Sequence, residues 1–222
     1  MSLLLREDVE AKPGEWHPLL QHEPEPVFEK DALHPWHVSF DPEKCQVHVD
    51  GADPCLLKLG AVSDPGYRLR VHISQHPWRR GVGFFLGLQP KVEYEKNGWQ
   101  FQIIQLHGFA KAPGGLIPKD IFKIERWRAF ARKVPEGFMI NTWSRGADEV
   151  EGLTEECCLE IQVTMLGLTR AYWNGAQLSG ITSNEWNSYF QLEDYLGDFG
   201  LYNAGSSCVH RDAEFMVERS KS

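Results

Sequence analysis

An all-β fold, an antiparallel sandwich or barrel, is what this sequence predicts, and three observations predict it. Apolar and polar residues alternate with a period of two in one segment after another, as strands with one buried face require. Eight Trp, 12 Phe, 20 Gly and 13 Pro in 222 residues describe aromatic-rich strands punctuated by turns. Strands do not alternate with long helical patterns, as a parallel sheet would need. The length suits one domain that buries about 70% of its unfolded surface, enough to be stable without disulfides or a structural metal.

The elements follow in chain order. Residues 1–25 carry no sustained period, and Glu23-Pro24-Glu25-Pro26 favours extended backbone. They read as an arm, packed outside or along an edge of a domain spanning 26–217, with a tail over 218–222. Trp36, Val38 and Phe40 alternate with His37 and Ser39, and Cys45, Val47 and Val49 with Gln46, His48 and Asp50. The clearest strand sets Tyr67, Leu69, Val71 and Ile73 against Arg68, Arg70, His72 and Ser74. Val82 to Leu88 and Trp99 to Leu106 are nearly continuous apolar runs, expected at the centre of a sheet. Lys119 to Lys133 fits a helix through Ile121, Ile124 and Trp127 or an edge strand by alternation, and is read as strand plus loop. Leu159, Ile161, Val163 and Met165 alternate with Glu160, Gln162 and Thr164. Asn174-Gly175 has the chemistry of a type I′ hairpin turn, and Asn203 to Ser207 separates the last two strands.

Charge and cysteines narrow the function classes. Lys and Arg number 23 against 31 Asp and Glu, a net charge of -8 that repels a polyanion, so no nucleic acid partner is expected. No apolar run reaches the ~20 residues that cross a bilayer, so no membrane partner is expected. With no export signal visible, a cytoplasmic location is expected. The five cysteines (Cys45, Cys55, Cys157, Cys158 and Cys208) are odd in number and lack CxxC spacing, so five free thiols are expected.

Two segments resemble the concanavalin A-like lectin/glucanase superfamily of jelly-roll sandwiches. Leu159 to Gly175 is similar to its penultimate hairpin. Gly197-Asp-Phe-Gly-Leu-Tyr-Asn-Ala-Gly205 with His210 to Phe215 is similar to its closing element. Gly98-Trp99-Gln100-Phe101-Gln102-Ile103 resembles a strand of the bacterial 3-keto-disaccharide hydrolase-like domains, which, with laminin-G-like and planctomycete-type sandwiches, are the nearest members in tone. The resemblance implies a two-sheet antiparallel jelly-roll β-sandwich over roughly Val27 to Val217, and a carbohydrate ligand.

Hydrolysis by that superfamily's glucanases uses carboxylates about 5 Å apart, supplied as E-x-D-x-x-E on one strand face. That motif is absent, and Gln100 stands at the similar position, where an amide cannot exchange the proton. The expectation is therefore a non-catalytic carbohydrate-binding domain. The alternatives are a glycoside-acting hydrolase and a protein-interaction sandwich with no small ligand, and the homo-oligomeric state is left open. Glu93 with Glu95, Glu193 with Asp194, and Asp212 with Glu214 read as solvated charges.

Sugar rings present apolar C–H faces rimmed by hydroxyls, so a site wants an aromatic platform beside amides, acids or Arg. Gln100 and Gln102 share one strand face and are expected on the open face of a concave sheet. Trp78, Arg79 and Arg80 are expected to supply the platform and charge from a loop, with Trp143 and Arg145 in another loop as second candidates. No cofactor is expected. His34 with His37 and His72 with His76 lack zinc-binding geometry on a strand, and the acidic run Asp148, Glu149, Glu151, Glu155 and Glu156 lacks the loop grammar of calcium sites, though some lectins of this superfamily hold calcium. Lys119 to Lys133 carries six basic and two acidic residues and reads as a charged face.

Overall fold

The alternating segments pair as antiparallel strands in two sheets. The computed structural model describes residues 12–28, 36–75, 80–93, 96–109, 121–135, 137–151 and 153–218. The strands are β1 (His17–Pro18), β2 (Glu25–Pro26), β3 (Trp36–Asp41), β4 (Gln46–Gly51), β5 (Cys55–Val62), β6 (Tyr67–Ser74), β7 (Val82–Glu93), β8 (Lys96–Phe109), β9 (Ile121–Val134), β10 (Gly137–Val150), β11 (Cys157–Thr164), β12 (Gly167–Trp173), β13 (Ala176–Gln177), β14 (Gly197–Asn203) and β15 (Cys208–Val217). One sheet of eight strands runs β13-β12-β11-β6-β15-β4-β3, with β1 added beside β15, and one of seven runs β10-β9-β8-β7-β14-β5-β2. This is the two-sheet antiparallel jelly-roll sandwich, and β7 and β8 lie inside their sheet as their apolar runs require.

The core lies between the sheets. Tyr67, Leu69, Val71 and Ile73 of β6 are buried there, facing Phe84, Ile104 and Leu201 of the other sheet, while Arg68, Arg70, His72 and Ser74 look outward. At about 2 kcal/mol for each buried large side chain, this interface dominates the stability. The hairpin from β12 to β13 turns at Asn174 (φ 48°) and Gly175 (φ 81°), the positive φ angles that a type I′ turn needs. The five cysteines are unpaired, with Cys55, Cys157 and Cys208 buried.

From residue 12 onward the arm lies against the sheets: His17 pairs with Phe215, Glu25 pairs with Lys58 at the end of the seven-stranded sheet, and Leu20 is fully buried. Two details depart from the sequence reading. The basic stretch forms a central strand, β9, between β8 and β10, rather than an edge. β5 and β10, which alternation did not single out, complete the seven-stranded sheet.

Candidate functional site

β8 is apolar on both faces, and this decides where the glutamines go. Its even positions, Gln100 to Leu106, face the other sheet, while Trp99, Phe101 and Ile103 belong to a second apolar cluster on the outer face, with Leu56, Phe85, Ala129, Ala131 and Tyr202. Gln100 and Gln102 therefore point inward, 4% and 1% exposed, and do not lie on an open face as expected. Their roof is the segment after β13, which holds a short helix α1 (Asn184–Asn187) and a 3₁₀ turn (Leu192–Tyr195). Gln100 bonds the Asp194 carboxylate, and Gln102 donates to the Asp194 carbonyl at 2.8 Å. Arg126, wholly buried on β9, joins them and bonds Gln102, Asn187 and Tyr195. Arg128 donates to Gln100 at 2.6 Å. Gln100, Gln102 and Arg126 are closed off beneath the roof and fasten it to the sheet.

The outer face of the same sheet is divided in two. At one end Phe28 stacks on Phe138 with ring centroids 4.2 Å apart and meets Trp99 edge-on at 5.6 Å, closing that end. The other end opens into a cleft of about 330 Å³. Its floor is Ile103, Tyr202 and Ala204, and its sides are Trp127 of β9, Thr142 of β10, Gln105 and His107 of β8, and Arg80 ahead of β7. Under His107 and Trp127 lies Glu125, 7% exposed. His107 Nδ1 stands 3.1 Å from Glu125 Oε2, and the Trp127 indole donates to the same oxygen at 3.0 Å. A carboxylate only accepts, so the Nδ1 of His107 carries the proton. Burial raises the Glu125 pKa, but the bonds from His107 and Trp127, with the charges of His107 and Lys123, outweigh it and hold the carboxyl below its ordinary range. Gln105 Oε1 is buried beside Gly81 with no hydrogen-bond partner among the described residues.

Of the residues expected at a sugar site, the structure brings Arg80 to this cleft, where Nη1 also donates to the Ala52 carbonyl at 2.8 Å. Trp78 and Arg79 lie outside the described residues. Trp143 and Arg145 belong to strand β10 and not to a loop, and Trp143 is 40% exposed on the face opposite Thr142. Sequence reasoning missed Gln105, His107, Glu125 and Trp127. Their signal was the odd register shared by β8 and β9, which pairs Gln105 with Glu125 and Ile103 with Trp127.

The charged groups considered for metals and anions are engaged elsewhere. Asp148 accepts the backbone N–H groups of Ser179, Gly180 and Ile181, at 3.2, 2.8 and 2.8 Å. Glu149 pairs with Lys123, and Glu156 with His72 and Arg211, so this acidic run does not converge on one point. Among the described residues no three His, Cys, Asp or Glu side chains gather as metal ligands. The cations of β9 split between its faces, Arg126 buried and Lys123 outward, so they form no single basic patch. Among those residues no helix is long and apolar enough to cross a membrane.

No family model matches the chain, and no curated protein matches it. Among solved structures, a beta-porphyranase from the human gut bacterium Bacteroides plebeius is similar over 97% of each chain, at 11% identity and a TM-score of 0.44. The binding domain of Botulinum neurotoxin DC, solved in complex with rat synaptotagmin II, is similar over 85% of this chain and 44% of that one, at 11% identity and a TM-score of 0.37. Likenesses this loose add nothing to what the chain's own strand order establishes.

Proposed function

We propose that the chain is a non-catalytic carbohydrate-binding domain and that the outer-face cleft is its binding site. The observation that carries this reading is the pairing of a part-exposed indole, Trp127, with an amide, an imidazole and a guanidinium, from Gln105, His107 and Arg80, around one cleft. A sugar ring stacks its C–H face on the indole while its hydroxyls bond the polar rim. Gln105 Oε1 suits a hydroxyl donor, since it has no partner among the described residues. Trp78 and Arg79, next to Arg80 in the chain, are proposed to contribute to binding as well. The resemblance of Gly98 to Ile103 to the 3-keto-disaccharide hydrolase-like domains agrees with a sugar ligand.

Binding is favoured over hydrolysis because the described lining carries no carboxylate. Glu125, beneath it, is tied by two donors and held ionised, whereas a general acid needs its pKa raised and a second carboxylate within reach. The test is a glycan array read beside Trp fluorescence and a glycoside hydrolysis screen on the same protein. Saturable binding without turnover is expected. Turnover of any glycoside, or no binding to any glycan, overturns the reading.

A further inference from the structure

We propose that the chain forms a two-fold dimer by pairing strand β10 with the same strand of a second copy, about a dyad at Asn141. β10 ends the seven-stranded sheet, and among the described residues no strand pairs with its outer side. Its far half is covered, since the Asp148 carboxylate holds the backbone of Ser179 to Ile181 there. Among the described residues no strand pairs with the near half, Met139 to Trp143.

Natural sheets protect such edges with short strands, charges, proline or bulges, because unpaired N–H and C=O groups recruit another strand. The other end strands here follow that rule. β2 and β13 have two residues each, β2 containing Pro26, and β3 ends in Asp41. β10 departs from it in its first half: from Gly137 to Ser144 there is no charged residue and no proline, and its bulge lies beyond Ser144.

The exposed side chains say which partner fits. Met139 is 43% and Trp143 40% exposed, both large and apolar, both on one face of β10, two residues either side of Asn141. Antiparallel pairing about Asn141 sets Met139 opposite Trp143 of the second copy, and Trp143 opposite Met139, so each copy covers the apolar pair of the other. This arrangement is its own complement, which a different partner would have no reason to match. Moving the dyad to Ile140 or Thr142 would set Met139 and Trp143 opposite other residues, so pairing about Asn141 is the register that joins the two apolar side chains. Because the dyad stands normal to the sheet, both outer faces point the same way. Thr142, a wall of the cleft, then lies beside the junction, and two clefts open on one continuous surface. The dimer rests on the edge strand alone, so its test is independent of what the cleft binds.

At the dyad Asn141 meets Asn141, and this gives the test a sign. Asn141→Lys and Asn141→Asp each place like charges opposite one another, while an equal mixture places opposite charges there. Sedimentation equilibrium is run on the full chain and on both variants, alone and mixed, from about 1 to about 500 µM. The parent is expected to dimerise, each variant alone to self-associate at least ~10-fold more weakly, and the mixture to regain the parent's affinity. Both substitutions are at an exposed position, and unchanged circular dichroism confirms that they fold. A parent that stays monomeric at the highest concentration, variants that self-associate like the parent, or a mixture that stays monomeric overturns the proposal.

Discussion

Arg126 donates from both Nε and Nη2 to a single oxygen, Oε1 of Gln102, at 3.1 and 2.9 Å. Its Nη1 reaches the Ile181 carbonyl at 3.2 Å and Asn187 Oδ1 at 2.8 Å, and Nη2 also reaches the Tyr195 hydroxyl. All five N–H donors are thus used, and every acceptor is neutral. Burial pulls the Arg126 pKa down, with Tyr195 and the charge of Asp194 opposing it, and the Phe190 ring lies 4.0 Å from the guanidinium carbon. A buried cation without a directly bonded carboxylate depends on the full set of acceptors.

Removing one acceptor should therefore be costly. Gln102→Ala strips two donors of Arg126 of their partner and is expected to cost about 3 kcal/mol in urea unfolding. Affinity at the outer cleft should be unchanged while the protein is folded. A variant that keeps its stability but loses a ligand would place Gln102 on an accessible face after all.

Trp127→Ala tests the opposite face. The indole is half-buried and donates to Glu125, so unfolding should be easier by about 1–2 kcal/mol while the chain stays folded, and any glycan found on the array should bind roughly 5- to 10-fold more weakly for the loss of about 1 kcal/mol of stacking. Titration calorimetry on parent and variant decides this.

His210 makes stability depend on pH. It is fully buried with Nδ1 3.7 Å from Cys208 Sγ, and burial lowers its pKa from 6.5 to about 4, against a smaller backbone effect from Tyr202. The folded chain keeps the imidazole neutral while the unfolded chain takes a proton below 6.5, so its contribution is complete above 6.5 and is lost as pH falls towards about 4. The loss is on the order of 3 kcal/mol. Urea melts across this window should show the slope in the parent and a flatter one in His210→Gln.

Gly87 sits at a bulge in β7 with φ at +65°, and a Cβ there would lie 2.0 Å from the Asp194 carbonyl oxygen. That atom is backbone and cannot swing aside. Gly87→Ala should cost about 2–4 kcal/mol by displacing the 3₁₀ turn that Gln100 and Gln102 hold. The double variant with Gln102→Ala should lose less than the sum, because both act on Asp194. Strict additivity in the melts would break that link.

The strands that alternate cleanly were legible in the sequence because each has one wet face: β6 buries Tyr67, Leu69, Val71 and Ile73 and exposes the residues between them. β8 was legible as a strand but not in its direction. Trp99, Phe101 and Ile103 look as suited to a core as Ile104 and Leu106, since the outer face is itself partly closed by Phe28, Phe85 and Tyr202. Polarity then pointed to Gln100 and Gln102, whereas the amide that lines the cleft is on Gln105, itself 7% exposed. Arg126 was read as one charge of a basic face because burying a guanidinium needs acceptors from a segment some sixty residues later, as the bond to Asn187 shows. Local patterns carry no trace of such a partner. β10 escaped notice because Gly137 to Ser144 mixes small polar and apolar residues without a period.

The positions of the last two strands set when this chain can fold. β14 lies between β7 and β5, and β15 between β6 and β4 with β1 beside it. Both are interior to their sheets, yet both are made last. A chain emerging from the ribosome holds two halves of each sheet with no middle to join them until residues after Gly197 are free of the exit tunnel. Until then β5 and β7, or β4 and β6, have unpaired edges on the sides that β14 and β15 will occupy. Closing pairs of such long sequence separation is slow, His17 with Phe215 being the extreme. Completion of the domain thus waits for β14 and β15, and a chain cut short before β14 is left with both cores open rather than as a smaller folded protein.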